Sequence, residues 1–289
     1  MTIHRFFIGP ESIDEEQGTV LCQSQKLAKQ VRKVLRLENG APLDILDGHG
    51  NIYHCILADI IPGAPRDLFQ AKIIAKERCT DSASITFTIA MPLIKTNRFE
   101  WALEKITELG VNKIVPVALS RSIIKGAELL KLTRWRKIIE EAAEQSEHNR
   151  SPELTAPLGF INWLEQDKQT QNKSLRLICV ERQSAQTLEE VLYNFSNKQM
   201  ASRAHDCEEQ SAAPRLYARR AEETAGEAAP TYCAIAVGAE GGFTEEEIQS
   251  ALAHNFVAVS LGPNILRSET AALTALAISR SWFSRVKIY

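Results

Sequence analysis

Two glycine-containing loops hold most of the residues whose type and spacing could do chemistry. The first is VGAEGGFTEEE (237–247). Gly238, Gly241 and Gly242 would let backbone approach a ligand closely or take a positive φ. Thr244 is a good helix N-cap, Glu247 stands where a capping box needs it, and Phe243 and Ile248 stand where a hydrophobic staple would be. The spacing therefore predicts a helix that starts directly after the glycines. Such a start offers unpaired N–H groups and a positive dipole end, which suit an anion. The acids at 245–247 already use that field, so a diphosphate would be poorly placed. The loop is neither GxGxxG nor a Walker loop. On these grounds a tight turn and a ligand loop both stay open.

The second loop is SLGPNILRSETAAL (260–273). Ile265 and Leu266 are apolar within a loop, where they could line a flat pocket such as one for an adenine ring, or plug the core. Arg267 beside Glu269 could be an ion pair that fixes the loop, or could face substrate. Ser268 can cap a last helix. Two such loops at the C-terminal ends of strands are what an α/β active site requires. Two basic clusters stand apart from them. Lys26, Lys29, Arg32, Lys33 and Arg36 fall within eleven acid-free residues, and a second cluster runs from Arg121 through Arg134 to Lys137. Each is either a solvated face or a grip for RNA phosphates.

These loops need elements to position them. Residues 1–78 read as short apolar runs broken by turns: RFFI (5–8), GTVLC (18–22), 41–61 with turn signals at 47–51, and AKIIA (71–75). One helix, 26–37, interrupts them. This is a small β domain. From 79 to 289, apolar runs at 85–91, 113–119, 175–181, 232–238 and 256–262 alternate with helical patterns at 99–110 and 132–147. That rhythm predicts a mostly parallel sheet covered on both faces. Residues 197–230, rich in Ala, Glu, Arg and Ser, break it and read as a flexible insertion.

Composition narrows the classes. Of 289 residues, 44% are apolar and the net charge is −2, which argues against non-specific coating of nucleic acid but not against a local patch. There is no leader-like segment and no run long enough to span a bilayer, so a cytoplasmic protein is expected. The six cysteines (22, 55, 79, 179, 207 and 233) form no CxxC pair and the histidines are dispersed. Free thiols in a reducing compartment and no metal are the expectation.

Five blocks in order carry a further likeness. RFF (5–7), VLRLENG (34–40) and LDG (46–48) come first. Lys95, FEWALEKITELGV (99–111), Pro116 and SRS (120–122) follow, then RWRKIIEEAAEQSEHNRSPEL (134–154) and the two loops above. Together they resemble the RsmE family of small-subunit ribosomal RNA uridine-N3 methyltransferases, within the SPOUT class. The resemblance implies a C-terminal SPOUT-type α/β trefoil-knot domain with a mostly parallel sheet (79–289). A small PUA-like, RNA-binding β-barrel domain (1–78) precedes it. It implies S-adenosylmethionine as cofactor, small-subunit ribosomal RNA as partner, and a homodimer.

By the same resemblance Val180, Glu181, Val237, Gly238, Ala239, Glu240, Gly241, Gly242, Leu261, Gly262, Ile265 and Leu266 would hold the cofactor. Ala239 stands where the family usually has proline. Removing the uridine N3 proton needs an acceptor, or a cation beside the anion; Arg267 and Glu269, then Glu240, are the candidates. Lys26, Lys29, Arg32, Arg36, Arg121, Arg134 and Arg150 are the candidate RNA contacts. Another SPOUT activity, on tRNA or on ribose 2′-O, is the alternative, as is a non-catalytic RNA-binding assembly factor.

Overall fold

Asp47 organises the hairpin at the centre of the N-terminal sheet. In the computed structural model its Oδ1 accepts from the N–H groups of His49 (2.7 Å) and Asn51 (3.1 Å). Gly48 and Gly50 take φ of 78° and 97° between them. Desolvation would raise the Asp47 pKa, but the side-chain bond from Asn51 and these backbone bonds outweigh it and hold the carboxyl below its usual range.

The structure describes residues 3–61, 68–78, 85–122, 129–167, 174–181, 185–197 and 232–286. The chain divides into two compact units, Met1–Asp81 with Ile139–Ser151, and Ser82–Ile138 with Pro152–Tyr289.

In the first unit, β1 (His4–Phe7), β2 (Ile13–Asp14), β3 (Thr19–Cys22), β4 (Pro42–Leu46), β5 (Asn51–Ile61) and β6 (Leu68–Arg78) form one sheet in the order β1-β4-β5-β6-β3-β2. β1 pairs β4 in parallel and the other pairings are antiparallel. Alternation along these strands turns Phe6, Val20, Leu43, Ile45, Leu57 and Phe69 into a shared core.

The helix expected over 26–37 is shorter. α1 (Gln25–Lys29) is capped by Ser24 Oγ, which accepts from the Leu27 N–H, and continues as a π turn over Gln30–Val34. The wider turn shifts the phase of the apolar face. Val31 is buried, Val34 is 72% exposed, and Leu35 and Leu37 pack against the core instead.

The second unit runs through β7 (Thr86–Pro92), α2 (Thr96–Glu108), β8 (Lys113–Ala118), α3 (Leu129–Gln145), β9 (Glu153–Leu154), β10 (Leu158–Gly159), α4 (Phe160–Gln166), β11 (Ser174–Cys179), β12 (Gln186–Thr187), α5 (188–197), β13 (Tyr232–Val237), α6 (Glu245–Ala253), β14 (Val257–Ser260) and α7 (Ser268–Val286). Among the described residues the sheet has eight strands in the order β10-β8-β7-β13-β11-β14-β12, with β9 beside β8. Every pairing in it is parallel. β13 is buried along its whole length, as a strand covered on both faces must be. Gly110, with φ of 77°, ends α2; its carbonyl accepts from Arg280 Nη1 at 2.6 Å, which holds α7 against α2.

Apart from Asn197, the 197–230 insertion lies outside the described residues. Cys22, Cys55, Cys179 and Cys233 are free thiols, while Cys79 and Cys207 lie outside the described residues. Among the described residues no helix is long and apolar enough to cross a membrane, and no three metal-ligating side chains gather.

Candidate functional site

The strand order brings three loops together. β11 lies between β13 and β14, and all three run the same way, so their C-terminal ends open side by side. Between the loops is a cavity of about 490 Å³, within the usual size for a small-molecule site. Cys179, Val180 and Glu181 border it at the end of β11, Val237 to Ala239 and Gly241 to Phe243 at the end of β13, and Ser260 to Leu266 at the end of β14. Eleven of the twelve residues expected at a cofactor line it: Val180, Glu181, Val237, Gly238, Ala239, Gly241, Gly242, Leu261, Gly262, Ile265 and Leu266. Glu240 does not.

Local chemistry shapes each loop. The Ala239 carbonyl accepts from the Gly242 N–H at 2.8 Å, and Gly242 leaves the turn with φ of 67°. A Cβ on Gly241 would stand 3.2 Å from the Cβ of Arg121, and one on Gly238 would stand 3.2 Å from the ring of Phe243. These two glycines therefore serve close packing, whereas Gly262, with φ of 118° and open space around it, serves backbone conformation. Arg121 Nη1 donates to the carbonyls of Gly241 (2.9 Å) and Phe243 (3.2 Å), clamping the glycine loop.

The capping box at the start of α6 is present as the spacing predicts. Glu247 does more than cap: while Oε2 accepts from the Thr244 N–H at 2.8 Å, Oε1 accepts from the Ser120 N–H at 2.8 Å. Its buried carboxylate thus ties the loop after β8 to the glycine loop. Ser268 departs from expectation. Its hydroxyl donates to the Gly238 carbonyl at 2.7 Å rather than capping α7, and the first helical bond of α7 runs from the Ala271 N–H to the Arg267 carbonyl at 2.8 Å. Ser268 joins the two loops.

The candidates for proton chemistry lie at the edge of the cavity rather than in its wall. Arg267 is exposed. Glu269 is 7% exposed and pairs with Arg98 instead of Arg267, Nε to Oε1 at 3.8 Å. Its Oε2 is buried without a hydrogen-bond partner. Glu240 accepts from Arg98 Nη1. Arg98 thus joins two carboxylates from different loops, and sequence reasoning passed it over. The available signal was a lone cation in the first turn of α2, where no acid accompanies it and the helix dipole disfavours positive charge. Burial pushes the Cys179 thiol up to about 12, so it has no thiolate to act as a methyl acceptor at neutral pH.

The basic candidates are scattered in role. Lys26 pairs with Glu141, and Arg134 pairs with Glu100, Nε to Oε1 at 2.6 Å. Arg150 lies along Gly50, where an added Cβ would collide with its guanidinium. Lys29, Arg32 and Arg36 are exposed on or just after α1 and the π turn, and Arg36 holds a left-handed φ of 52°.

The cavity wall combines the apolar Val180, Leu261, Ile265 and Leu266 with the carboxylates Glu181 and Glu245. Its arginine, Arg121, is engaged with backbone carbonyls. Such a wall suits a ligand with a flat apolar ring and a cationic group better than a polyphosphate.

Comparison with known proteins agrees with this chemistry. Residues 81–280 match the RNA methyltransferase domain family. The ribosomal RNA small subunit methyltransferase E of Synechocystis sp. is 31% identical over 274 residues, 95% of this chain and 76% of that protein. A ribosomal RNA small subunit methyltransferase E from Neisseria gonorrhoeae, bound to S-adenosyl methionine, superposes with a TM-score of 0.70 at 25% identity, covering 97% of this chain and 98% of that one. A putative methyltransferase from Legionella pneumophila shares the fold, with a TM-score of 0.72 at 24% identity over 97% of this chain and 98% of that one.

Proposed function

Because this chain belongs to the ribosomal RNA small subunit methyltransferase E family of RNA methyltransferases, we propose that it methylates N3 of a uridine in small-subunit (16S) ribosomal RNA with S-adenosylmethionine as cofactor. The observation that carries this reading is the cavity among the three strand-end loops. The apolar side chains Leu261, Ile265 and Leu266 would take the adenine, and the backbone of 238–242 would border the remainder. Glu181 and Glu245 give the wall a charge that favours a sulfonium.

When bound, the cofactor supplies an electrophilic methyl group. The chain has to orient the uridine, exclude water and deal with the N3 proton. Arg267, exposed between the cavity-lining Leu266 and Ser268, is our candidate for the cation that favours the uridine anion. Glu269 and Glu240 would act from behind it through their shared contact with Arg98. Residues 1–78 would be the PUA-like RNA-binding domain, with Lys29, Arg32 and Arg36 its phosphate contacts. The enzyme would work in the cytoplasm as a homodimer, a state that sedimentation of the purified protein checks.

Nucleoside mass spectrometry of small-subunit RNA from a strain lacking this gene tests the reading. N3-methyluridine should disappear and return with the wild-type gene. Its persistence would overturn the assignment, and loss of a tRNA or 2′-O-methyl nucleoside instead would redirect it.

A further inference from the structure

Resting on that reading, the structure assigns Arg98 as a positioning residue for methyl transfer, acting as the tie between the two cofactor loops. Arg98 stands in the first turn of α2, remote in sequence from both loops. Its guanidinium pairs through Nη1 with Glu240 of the glycine loop and through Nε with Glu269 Oε1, 3.8 Å away, at the start of α7. A fork of this kind can serve two carboxylates at once, which a lysine ammonium does less well. Four observations bear on this role.

The two carboxylates come from the two loops that line the cavity. Neither lines it itself, yet their chain neighbours Ala239, Gly241 and Ser268 do. Glu269 is nine-tenths buried at its side chain and leaves Oε2 without a hydrogen-bond partner, so Arg98 is its compensating charge among the described residues. A buried carboxylate stripped of its partner is strongly destabilised. Finally, the loops are already joined on another side by the Ser268 bond to the Gly238 carbonyl. With Arg98 the connection has two points, and two points fix the relative angle of the loops where one leaves a pivot.

Arg98 thereby sets the width of the cavity mouth, and with it the placement of the cofactor methyl group against the incoming uridine. It is not a group that touches substrate.

Cofactor titration and steady-state kinetics of variants test this. Arg98→Ala should raise the S-adenosylmethionine Kd about tenfold, on the scale of one lost charge-assisted bond. It should raise KM for cofactor more than KM for RNA, and should lower kcat. Arg98→Lys should recover only part of the affinity. The double variant Arg98→Ala/Glu269→Gln removes the uncompensated charge, so its thermal midpoint should return toward wild type while its Kd stays high. If Arg98→Ala binds cofactor as tightly as wild type, or if the double variant recovers affinity together with stability, Arg98 is merely structural and the inference falls. If Arg98→Ala does not fold, the lysine and double variants give the same comparison. Wild-type protein that binds no cofactor at all would overturn the reading of the activity itself, a separate outcome.

Discussion

Ala239 begins the turn whose Gly242 N–H bonds back to the Ala239 carbonyl, and it is 6% exposed among Phe160, Phe243 and Ile248 of the core. Nothing in that turn uses the Ala239 N–H among the described bonds, so a proline ring would forfeit no contact there. Proline also lowers the entropy of the unfolded chain, which stabilises a compatible site by roughly 0.4–1 kcal/mol. Ala239→Pro should therefore raise the thermal midpoint slightly and tighten S-adenosylmethionine binding, measured by calorimetry; loss of binding would mean that the loop must flex to admit the cofactor. A second residue gives a pH signature. The His54 Nδ1 lies 2.8 Å from Asp44 Oδ1. This bond to Asp44, against the opposing effect of burial, holds the imidazole pKa above its ordinary 6.5. A raised folded-state pKa contributes stability fully below pH 6.5 and loses it as pH rises through the raised value. Thermal melts between pH 5 and 9 should show this decline in wild type and a flatter profile in His54→Gln.

At the scale of elements, the glycine loop holds its shape because α6 begins where it does. Thr244→Ala removes the hydroxyl that accepts from the Glu247 N–H at 3.2 Å, at a cost of about 1 kcal/mol for a lost N-cap. The variant's thermal midpoint should fall by a few degrees. Cofactor affinity should fall with it, because the same Glu247 also holds Ser120; an unchanged Kd would show that capping and cavity are independent. This cap was legible from Thr244, Glu247, Phe243 and Ile248 alone, since all the partners lie within five residues. The strand runs were legible too, because burial on both faces leaves predominantly apolar runs in β7, β8, β11 and β13, even with Arg176 inside β11. The helix over 26–37 was misjudged because a π turn keeps the residues and changes their phase. Ser268 was misread because its partner, Gly238, is thirty residues away and becomes its neighbour only once β14 lies beside β11. Arg98 was invisible for the same reason: its meaning rests on carboxylates more than a hundred residues downstream.

For the molecule as a whole, charge poses the remaining question. A chain of net charge −2 must bind a polyanion through local patches, and several of the arginines and lysines in its sequence clusters are already committed. Lys26 is paired with Glu141, Arg134 with Glu100, and Arg121 is bound to the glycine loop. Lys29 and Arg36 are, with Arg32 and Lys33, exposed members of the first cluster, and their neighbour Val34 adds an exposed apolar surface. If these two cations meet phosphates, each releases counterions on binding, so log K falls with log salt by about 0.7–0.9 per contact. Lys29→Ala/Arg36→Ala should then weaken binding of small-subunit RNA and make its salt dependence shallower by about 1.5, the sum of two such contacts. The S-adenosylmethionine Kd should not change, because neither residue borders the cavity. An unchanged salt slope would place the RNA contacts elsewhere, whereas a weaker cofactor Kd would show that the two substitutions disturb more than a phosphate-binding face. Measured across salt concentrations, the double variant thus separates electrostatic grip on the RNA from chemistry at the methyl donor.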